Sequence, residues 1–188
     1  HLREQMQVEL KSLQHRLGTT FVMVTHDQTE ALAIADRVAV MNRGRLEQVA
    51  APSELYDRPA TRFVAGFIGT MTLLDGTVDA SGRAAEAGGL SVRLAANAAR
   101  PGERIGIGLR PEDLEVGPAG SGTEATITGV AFHGRSNRLH VRLPSGLTLV
   151  AEQPRQTGMV APEIGATVGL RQIGEARVFP TAEAAGAA

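Results

Sequence analysis

A chain of 188 residues exceeds the roughly 150 residues of a typical domain, so the sequence predicts two modest domains. Its 19 lysines and arginines against 20 aspartates and glutamates give a net charge of -1, which argues against an electrostatic nucleic-acid binder. Because the chain has no cysteine, disulfides, thiolate metal sites and cysteine nucleophiles are excluded.

Two kinds of segment are missing from the sequence. No apolar stretch approaches the roughly 18 residues that span a bilayer, so the chain is not expected to cross a membrane. A phosphate-binding P-loop requires G-x-x-x-x-G-K-[ST], and the single lysine, Lys11, is preceded by Leu10 and not by glycine. The chain also opens at His1 directly in a helical pattern, which indicates a fragment of a longer protein.

A change in composition divides the chain near Gly69. Residues 1–69 hold only 4 of the 22 glycines and 2 of the 9 prolines, while the remainder fall in residues 70–188. Glycine and proline mark turns, so the first part is predicted to be mainly helical and the second to consist of short strands. We therefore expect domains at 1–69 and 70–188.

The first part begins with an amphipathic pattern. Apolar residues at spacings of three and four predict a helix that ends at Gly18, and this stripe is expected to pack on a sheet or, alternatively, against a coiled-coil partner. The continuous apolar run of residues 20–24 predicts a strand buried on both faces. The sequence thus indicates the packing of a helix and a sheet.

Turn signals organise the rest of this part. Asp27, followed three residues later by Glu30, predicts a capped helix over residues 28–35. Residues 42–45 lie between two apolar runs and predict a β-hairpin. A short helix capped by Ser53 and a second helix over residues 60–68 complete the prediction.

The second part predicts a small all-β barrel. Closely spaced strands separated by glycine and proline turns favour an OB-like fold. The predicted strands lie near residues 73–79, 90–94, 104–109, 124–132, 137–143, 147–151, 167–171 and 176–179. The alanine-rich tail, residues 182–188, is predicted to be frayed.

His26 is the first candidate for chemistry, because it follows the predicted strand of residues 20–24. Ligands of open α/β sheets bind at the carboxyl ends of the strands, where an imidazole donates a hydrogen bond to phosphate or orients a water. A histidine at a strand end that bonds nearby backbone is an equally good interpretation from position alone. Asp27 is better interpreted as a helix cap than as a catalytic base.

The segment that contains His26 carries a family resemblance. Residues 21–69 closely resemble the end of the nucleotide-binding domain of ABC importer ATPases, over the ungapped run FVMVTHDQTEALAIADRVAVMNRGRLEQVAAPSELYDRPATRFVAGFIG. The similarity is to the maltose, polyamine and iron-type subgroup, whose subunits carry a C-terminal regulatory domain. The resemblance implies an α+β fold, in which the C-terminal remnant of an α/β nucleotide-binding domain precedes an OB-like barrel.

The resemblance also implies a role for His26. It corresponds to the H-loop histidine, which contacts the γ-phosphate of ATP in such enzymes and so would be both catalytic and nucleotide-binding. ATP and Mg²⁺ are the cofactors implied for the full-length subunit. The P-loop, Q-loop, signature motif and Walker B carboxylates would lie upstream, so this chain alone is expected to have no cofactor and no ATPase activity. No metal ligand is predicted.

The implied partners follow from the same family. The full-length ATPase would bind transmembrane permease subunits and a second copy of itself, with a periplasmic or extracellular substrate-binding protein acting indirectly. It would lie at the cytoplasmic face of a bacterial or archaeal membrane, and the barrel would serve regulation and dimerisation. The sequence does not specify the transported substrate.

Two segments of the second part are candidates for regulation. Residues 104–114 resemble the strand and RPE segment of the transport-associated OB (TOBE) domain, and Arg110 with Glu112 is interpreted as an ion pair that braces a corner rather than as a ligand site. Residues 133–138, with His133, Arg135 and Arg138, carry the charge to bind an oxyanion or a regulatory partner, although an ordinary solvated hairpin is the favoured interpretation.

The rival functional classes are binding modules. A stand-alone OB-like domain that binds a ligand or an oxyanion, without ATPase activity, is the alternative to an ATPase subunit. An OB-like nucleic-acid binder requires aromatic stacking platforms in a basic groove. Phe132 and Phe179 are the only aromatic residues after residue 70, so nucleic acid is not expected as a partner.

Overall fold

The predicted first helix is present as α1 (Leu2–Leu17) in the computed structural model, which describes residues 2–155 and 162–181. It ends at Gly18, whose φ of 60° is the left-handed conformation that terminates helices. The apolar stripe is not buried as expected, because its members are largely exposed: Met6, Leu10, Leu13 and Leu17. The helix is therefore confirmed, but the prediction of packing against a sheet is wrong for the described residues.

The prediction of a buried strand over residues 20–24 is also wrong. This segment is irregular, and the exposed fractions of Val22 and Val24 are 89% and 96%. A strand forms only when a neighbouring strand satisfies its backbone groups, and none of the described strands pairs with these residues. The apolar pattern is present, but none of the described strands adds this segment to its sheet.

The predicted cap of the next helix is confirmed. Helix α2 (Gln28–Ile34) begins at Asp27, whose Oδ1 accepts hydrogen bonds from the backbone N–H groups of Thr29 and Glu30 at 2.9 and 3.2 Å. These bonds satisfy donors that have no partner within the helix. The start of α2 is therefore fixed at the residue that follows His26.

A confirmed hairpin follows, formed by β1 (Val38–Asn42) and β2 (Arg45–Ala50). Its two-residue turn has positive φ at Arg43 (48°) and Gly44 (78°), as the preferred hairpin turn requires. The turn lies where the sequence predicts it.

Two short helices close the first compact unit, His1–Gly69. Helix α3 (Pro52–Asp57) begins after Ala51, with proline in its first turn, so the prediction of a Ser53 cap is wrong. Helix α4 (Arg62–Phe67) is capped by Thr61, whose side chain accepts from the N–H of Val64. A small core joins the hairpin to both helices: Val40, Ala50, Leu55, Val64 and Ile68.

The second unit, Thr70–Ala188, contains two antiparallel five-stranded sheets and has the expected OB-like fold. The described strands are β3 (Thr72–Val78), β4 (Ala84–Ala87), β5 (Leu90–Arg93), β6 (Arg104–Leu109), β7 (Leu114–Gly117), β8 (Thr123–Phe132), β9 (Ser136–Arg142), β10 (Thr148–Pro154), β11 (Thr167–Gln172) and β12 (Arg177–Phe179). The sheet orders are β10-β9-β8-β11-β7 and β12-β6-β3-β4-β5. A short 3₁₀ helix, Pro111–Asp113, joins β6 to β7.

Alternating side chains fill the core between these sheets. Strand β9 places Leu139 and Val141 inside, and strand β6 contributes Ile105, Ile107 and Leu109. The sequence did not predict two of the described strands, β4 and β7. Strand β4 is mostly alanine, which has low strand propensity, and β7 is short and follows a helical turn. The predicted fraying of residues 182–188 lies outside the described residues.

A side-chain amide completes the edge of the second sheet. The Gln172 Oε1 accepts from the Arg93 N–H at 2.7 Å, while its Nε2 donates to the Arg93 carbonyl at 3.0 Å and to the Gly174 carbonyl at 2.9 Å. This pair of bonds to Arg93 reproduces those that a neighbouring strand makes with an edge residue. Gln172 therefore ties β5 to the end of β11.

Gly169 is enclosed by the turn that precedes β8, and we predict that Gly169→Ala destabilises the chain by about 2 kcal/mol. An added Cβ would lie 2.6 Å from the Ser121 Oγ and 2.8 Å from both the Gly122 N and the Pro118 O. Urea unfolding measures the loss. The matched control is Gly129→Ala, where the nearest atoms lie 3.6 Å away. Equal stability of the two variants would contradict the prediction.

The helices of the described residues are short or polar. Over that part of the chain, none combines the length and apolar character needed to cross a membrane.

Candidate functional site

His26 lies at the tip of a hydrogen-bonded turn in the first unit. Its side chain is exposed, whereas the flanking Thr25 and Asp27 are half-buried. The Asp27 N–H donates to the Thr25 Oγ1 at 2.9 Å, and this hydroxyl donates to the Glu30 Oε2 at 3.1 Å. Side-chain bonds on both sides of His26 therefore hold the turn that presents it.

The turn borders a groove of the first unit. His26 lines this groove, of about 1100 Å³, together with the exposed run Phe21–Val24 and residues of β1. Immediately after the turn, the Gln28 Oε1 accepts from the Gly69 N–H at 3.2 Å, which ties the start of α2 to the last residue of the unit. An exposed imidazole beside an open groove is able to donate a hydrogen bond to an anionic ligand.

Arg110 occupies a fully buried corner of the second unit. Its exposed fraction is 0%, and its Nη1 donates to the Thr70 carbonyl at 3.2 Å. The carboxylate that holds the backbone of this corner is Asp113, whose Oδ2 accepts from the Arg110 N–H at 2.7 Å. Glu112, by contrast, is exposed on the 3₁₀ helix. The corner is thus built around Asp113, which the sequence interpretation did not single out.

Asp113 is also paired with the guanidinium of Arg177. Burial raises the pKa of the Asp113 carboxyl above its ordinary value, although the hydrogen bond from Arg110 and the charge of Arg177 act in the opposite direction. A carboxyl with a raised pKa favours folding below its unfolded-state pKa, and that contribution is lost as the pH rises through the folded-state value. The neighbouring cation limits this loss by stabilising the charged form.

A second arginine converges on Thr70 from strand β9. The Arg138 Nη1 donates to the Thr70 Oγ1 at 3.1 Å, so this one residue accepts from two guanidinium groups. The sequence interpretation placed Arg138 in the 133–138 stretch but did not predict its contact with Thr70, which lies 68 positions away. Successive side chains of β9 point to opposite faces of the sheet, so Arg138 points away from the face that buries Leu139. This alternation was the only sequence signal for where the Arg138 side chain points.

His133 and Arg135 lie in the turn between β8 and β9, where both are exposed. The turn is closed by backbone bonds from the His133 N–H to the Ser136 carbonyl and from the Arg135 N–H to the His133 carbonyl. The Arg155 guanidinium lies 4.8 Å from the centroid of the exposed Phe132 ring. A charged, solvated turn of this kind has the composition that binds anions, and its bonds are those of an ordinary hairpin.

The predicted residues fall into separate groups. His26 lies in the first unit, Arg110 and Glu112 flank Pro111 in one corner of the second, and His133 with Arg135 occupies a hairpin turn. Across residues 2–155 and 162–181, no group of three histidines, aspartates or glutamates is placed to hold a metal ion.

Part of the second unit is similar to a known domain family. Residues 107–179 match the model of the TOBE domain family, a range that runs from β6 to β12 and includes the Arg110 corner. The chain is similar to the C-terminal region of the ATP-binding subunits of ABC importers, as the resemblance of residues 21–69 indicated.

Three relatives illustrate this similarity. The spermidine/putrescine import ATP-binding protein PotA of Rubrobacter xylanophilus is 47% identical over 177 residues, which cover 90% of this chain and 47% of the relative. The ABC transporter ATP-binding protein YdcT of Escherichia coli is 43% identical over 86% of this chain and 43% of its own length. The sn-glycerol-3-phosphate import ATP-binding protein UgpC of Chromobacterium violaceum is 51% identical over 65% of this chain and 34% of its own length. The chain spans about half the length of the curated relatives it matches, or less.

Among solved structures, the cytoplasmic molybdate-binding protein ModG, crystallised with molybdate bound, aligns with 66% of this chain and 99% of its own. The TM-score is 0.47 and the sequence identity 10%.

Proposed function

We propose that this chain is the C-terminal portion of an ABC importer ATPase subunit, which couples ATP hydrolysis to substrate uptake. The observation that carries the proposal is the exposed His26 on a turn held by Thr25, Asp27 and Glu30, within a chain homologous to such subunits. Residues 1–69 form the end of the nucleotide-binding domain, and residues 70–188 form the regulatory barrel. Relatives of similar identity are named for polyamines and for sn-glycerol 3-phosphate, so the cargo is not part of the proposal.

The packing of the first unit supports this assignment. Val22 and Val24 are almost fully exposed, although a run of β-branched and aromatic residues is typical of an inner strand. The curated relatives are longer than this chain, and further residues of the full-length subunit would cover this run and the apolar stripe of α1. This arrangement would bury the apolar surface that the described residues leave open.

His26 performs one step of the proposed reaction. Its ring N–H donates to an oxygen of the γ-phosphate, where negative charge is stabilised while water attacks. The residues present fit this single contact, because the imidazole is exposed beside a groove and its backbone is held on both sides. ATP and Mg²⁺ supply the phosphoryl group and its charge neutralisation in the full-length subunit, through motifs that the sequence of this chain does not contain.

The proposed partners follow from the role of an importer subunit. The full-length protein binds transmembrane permease subunits at the cytoplasmic face of the membrane and works as a homodimer, while a substrate-binding protein acts through the permease. Residues 70–188 contribute to the dimer and its regulation. The corner of Arg110 and Glu112 serves the stability of this barrel, and no nucleic acid is required.

A nucleotide-binding experiment tests the proposal. Calorimetry of Mg-ATP with the full-length subunit should show micromolar binding, and the same protein should release phosphate. The 188-residue chain should show neither, because one histidine does not replace a phosphate-binding loop, a metal ligand and a water-positioning carboxylate. Micromolar Mg-ATP binding to the 188-residue chain, or a full-length subunit that never hydrolyses ATP, would contradict it.

The alternative is a stand-alone OB-like module that binds an oxyanion. The exposed turn with His133, Arg135 and the nearby Arg155 is the observation that favours it. Calorimetry of sulfate with the 188-residue chain distinguishes the two functions, since only the alternative expects binding that disappears in an Arg135→Ala variant.

A further inference from the structure

We propose that Thr25 is a positioning residue for His26, an inference that rests on the proposed function of the turn. The Thr25 hydroxyl makes two hydrogen bonds in opposite directions, as an acceptor from the Asp27 N–H at 2.9 Å and as a donor to the Glu30 Oε2 at 3.1 Å. His26 is the one residue between these bonded neighbours. The hydroxyl therefore restricts the backbone from which the imidazole projects.

The geometry gives Thr25 a role that Asp27 does not duplicate. Asp27 fixes the start of α2 through the N–H groups of Thr29 and Glu30, which lie after His26 in the chain. Thr25 precedes His26, and its bond to the Asp27 N–H spans the histidine. The bond to Glu30 then anchors the hydroxyl to the first turn of α2. Together these contacts connect the irregular segment before Thr25, the histidine and the helix.

This connection matters for catalysis more than for binding. A histidine on a loosely held turn still reaches a phosphate oxygen in some conformations, but it spends less time at the position that stabilises the transition state. Other protein groups carry most of the affinity for the nucleotide in the proposed subunit. The loss of positioning should therefore lower kcat while leaving KM for ATP nearly unchanged.

Two substitutions separate the hydroxyl from the shape of the side chain. Thr25→Val keeps the branched shape and removes both hydrogen bonds, whereas Thr25→Ser keeps the hydroxyl and removes a methyl group. In the full-length subunit, we expect Thr25→Val to lower kcat about tenfold with KM for ATP changed less than about twofold. Thr25→Ser should stay within about twofold of the wild-type kcat. If Thr25→Val does not fold, Thr25→Ala takes its place.

Amide hydrogen exchange reports the positioning without any activity. In the 188-residue chain, loss of the acceptor in Thr25→Val should speed exchange of the Asp27 N–H about tenfold, and Thr25→Ser should not. Unchanged exchange in Thr25→Val, or exchange that rises equally in both variants, would overturn the assigned contact.

The kinetic outcomes also decide between this inference and the proposed function. Wild-type turnover by Thr25→Val, or equal losses in Thr25→Val and Thr25→Ser, overturns the positioning role while leaving the ATPase assignment intact. A full-length wild-type subunit without ATPase activity contradicts the proposed function itself.

Discussion

Replacing His26 by alanine in the full-length subunit should lower kcat for ATP hydrolysis at least about 100-fold, the usual cost of removing one donor that stabilises transition-state charge. The affinity for ATP should change less than about threefold, because the imidazole contacts only the terminal phosphate in the proposed arrangement. The exposed position of His26 means that its loss creates no cavity, so the thermal unfolding temperature should stay nearly constant. Phosphate release under saturating Mg-ATP measures the effect, and calorimetry measures the affinity.

A matched control for this variant lies in helix α1. His15 is also an exposed histidine, but it lies in the last turn of the helix and outside the groove that His26 borders. His15→Ala should hydrolyse ATP at the wild-type rate. Unchanged turnover in His26→Ala, or a comparable fall in His15→Ala, would refute the role of His26.

The second large effect concerns the stability of the barrel. Arg110→Ala should lower the free energy of unfolding by about 3 kcal/mol, since a large buried side chain leaves a cavity and the Thr70 carbonyl loses a charged donor. The Asp113 bond to the Arg110 backbone N–H remains available in this variant. Urea unfolding followed through the amide resonances of β6 measures the loss in the second unit, because the single tyrosine, Tyr56, reports on the first.

Arg142→Ala provides the comparison. Arg142 is an exposed arginine of β9, so its removal should change the stability by less than about 0.5 kcal/mol. An Arg110 variant as stable as this control would show that the buried guanidinium is not needed by the corner. A loss in both variants would indicate a general dependence on positive charge.

Local signals predicted much of the structure. The hairpin was predictable because Arg43 and Gly44 form a turn whose geometry depends only on those residues and the two flanking strands. The Asp27 cap was predictable for the same reason, as its partners lie two and three positions away. The irregular conformation of residues 20–24 was not predictable. An apolar pattern shows what a strand would bury but not whether a neighbouring strand is present.

The candidate sites also differ in whether their signal is local in the sequence. His26 was found because its motif is contiguous and resembles that of a known family, although its catalytic role remains a prediction. Thr25 was missed, since it acts through a hydroxyl that many loop residues share. The contact of Arg138 with Thr70 was also missed, because Arg138 reaches Thr70 only after the fold brings β9 beside the start of the unit. Contacts across 68 positions are set by topology and leave no local pattern.

The amide of Gln172 has a consequence for how copies of this protein behave at high concentration. Strand β5 ends its sheet, and an open edge is a template on which a strand from another molecule adds. Gln172 already occupies both the N–H and the carbonyl of Arg93, so an incoming strand finds this backbone position engaged. Gln172 thus blocks pairing between molecules at this position of β5.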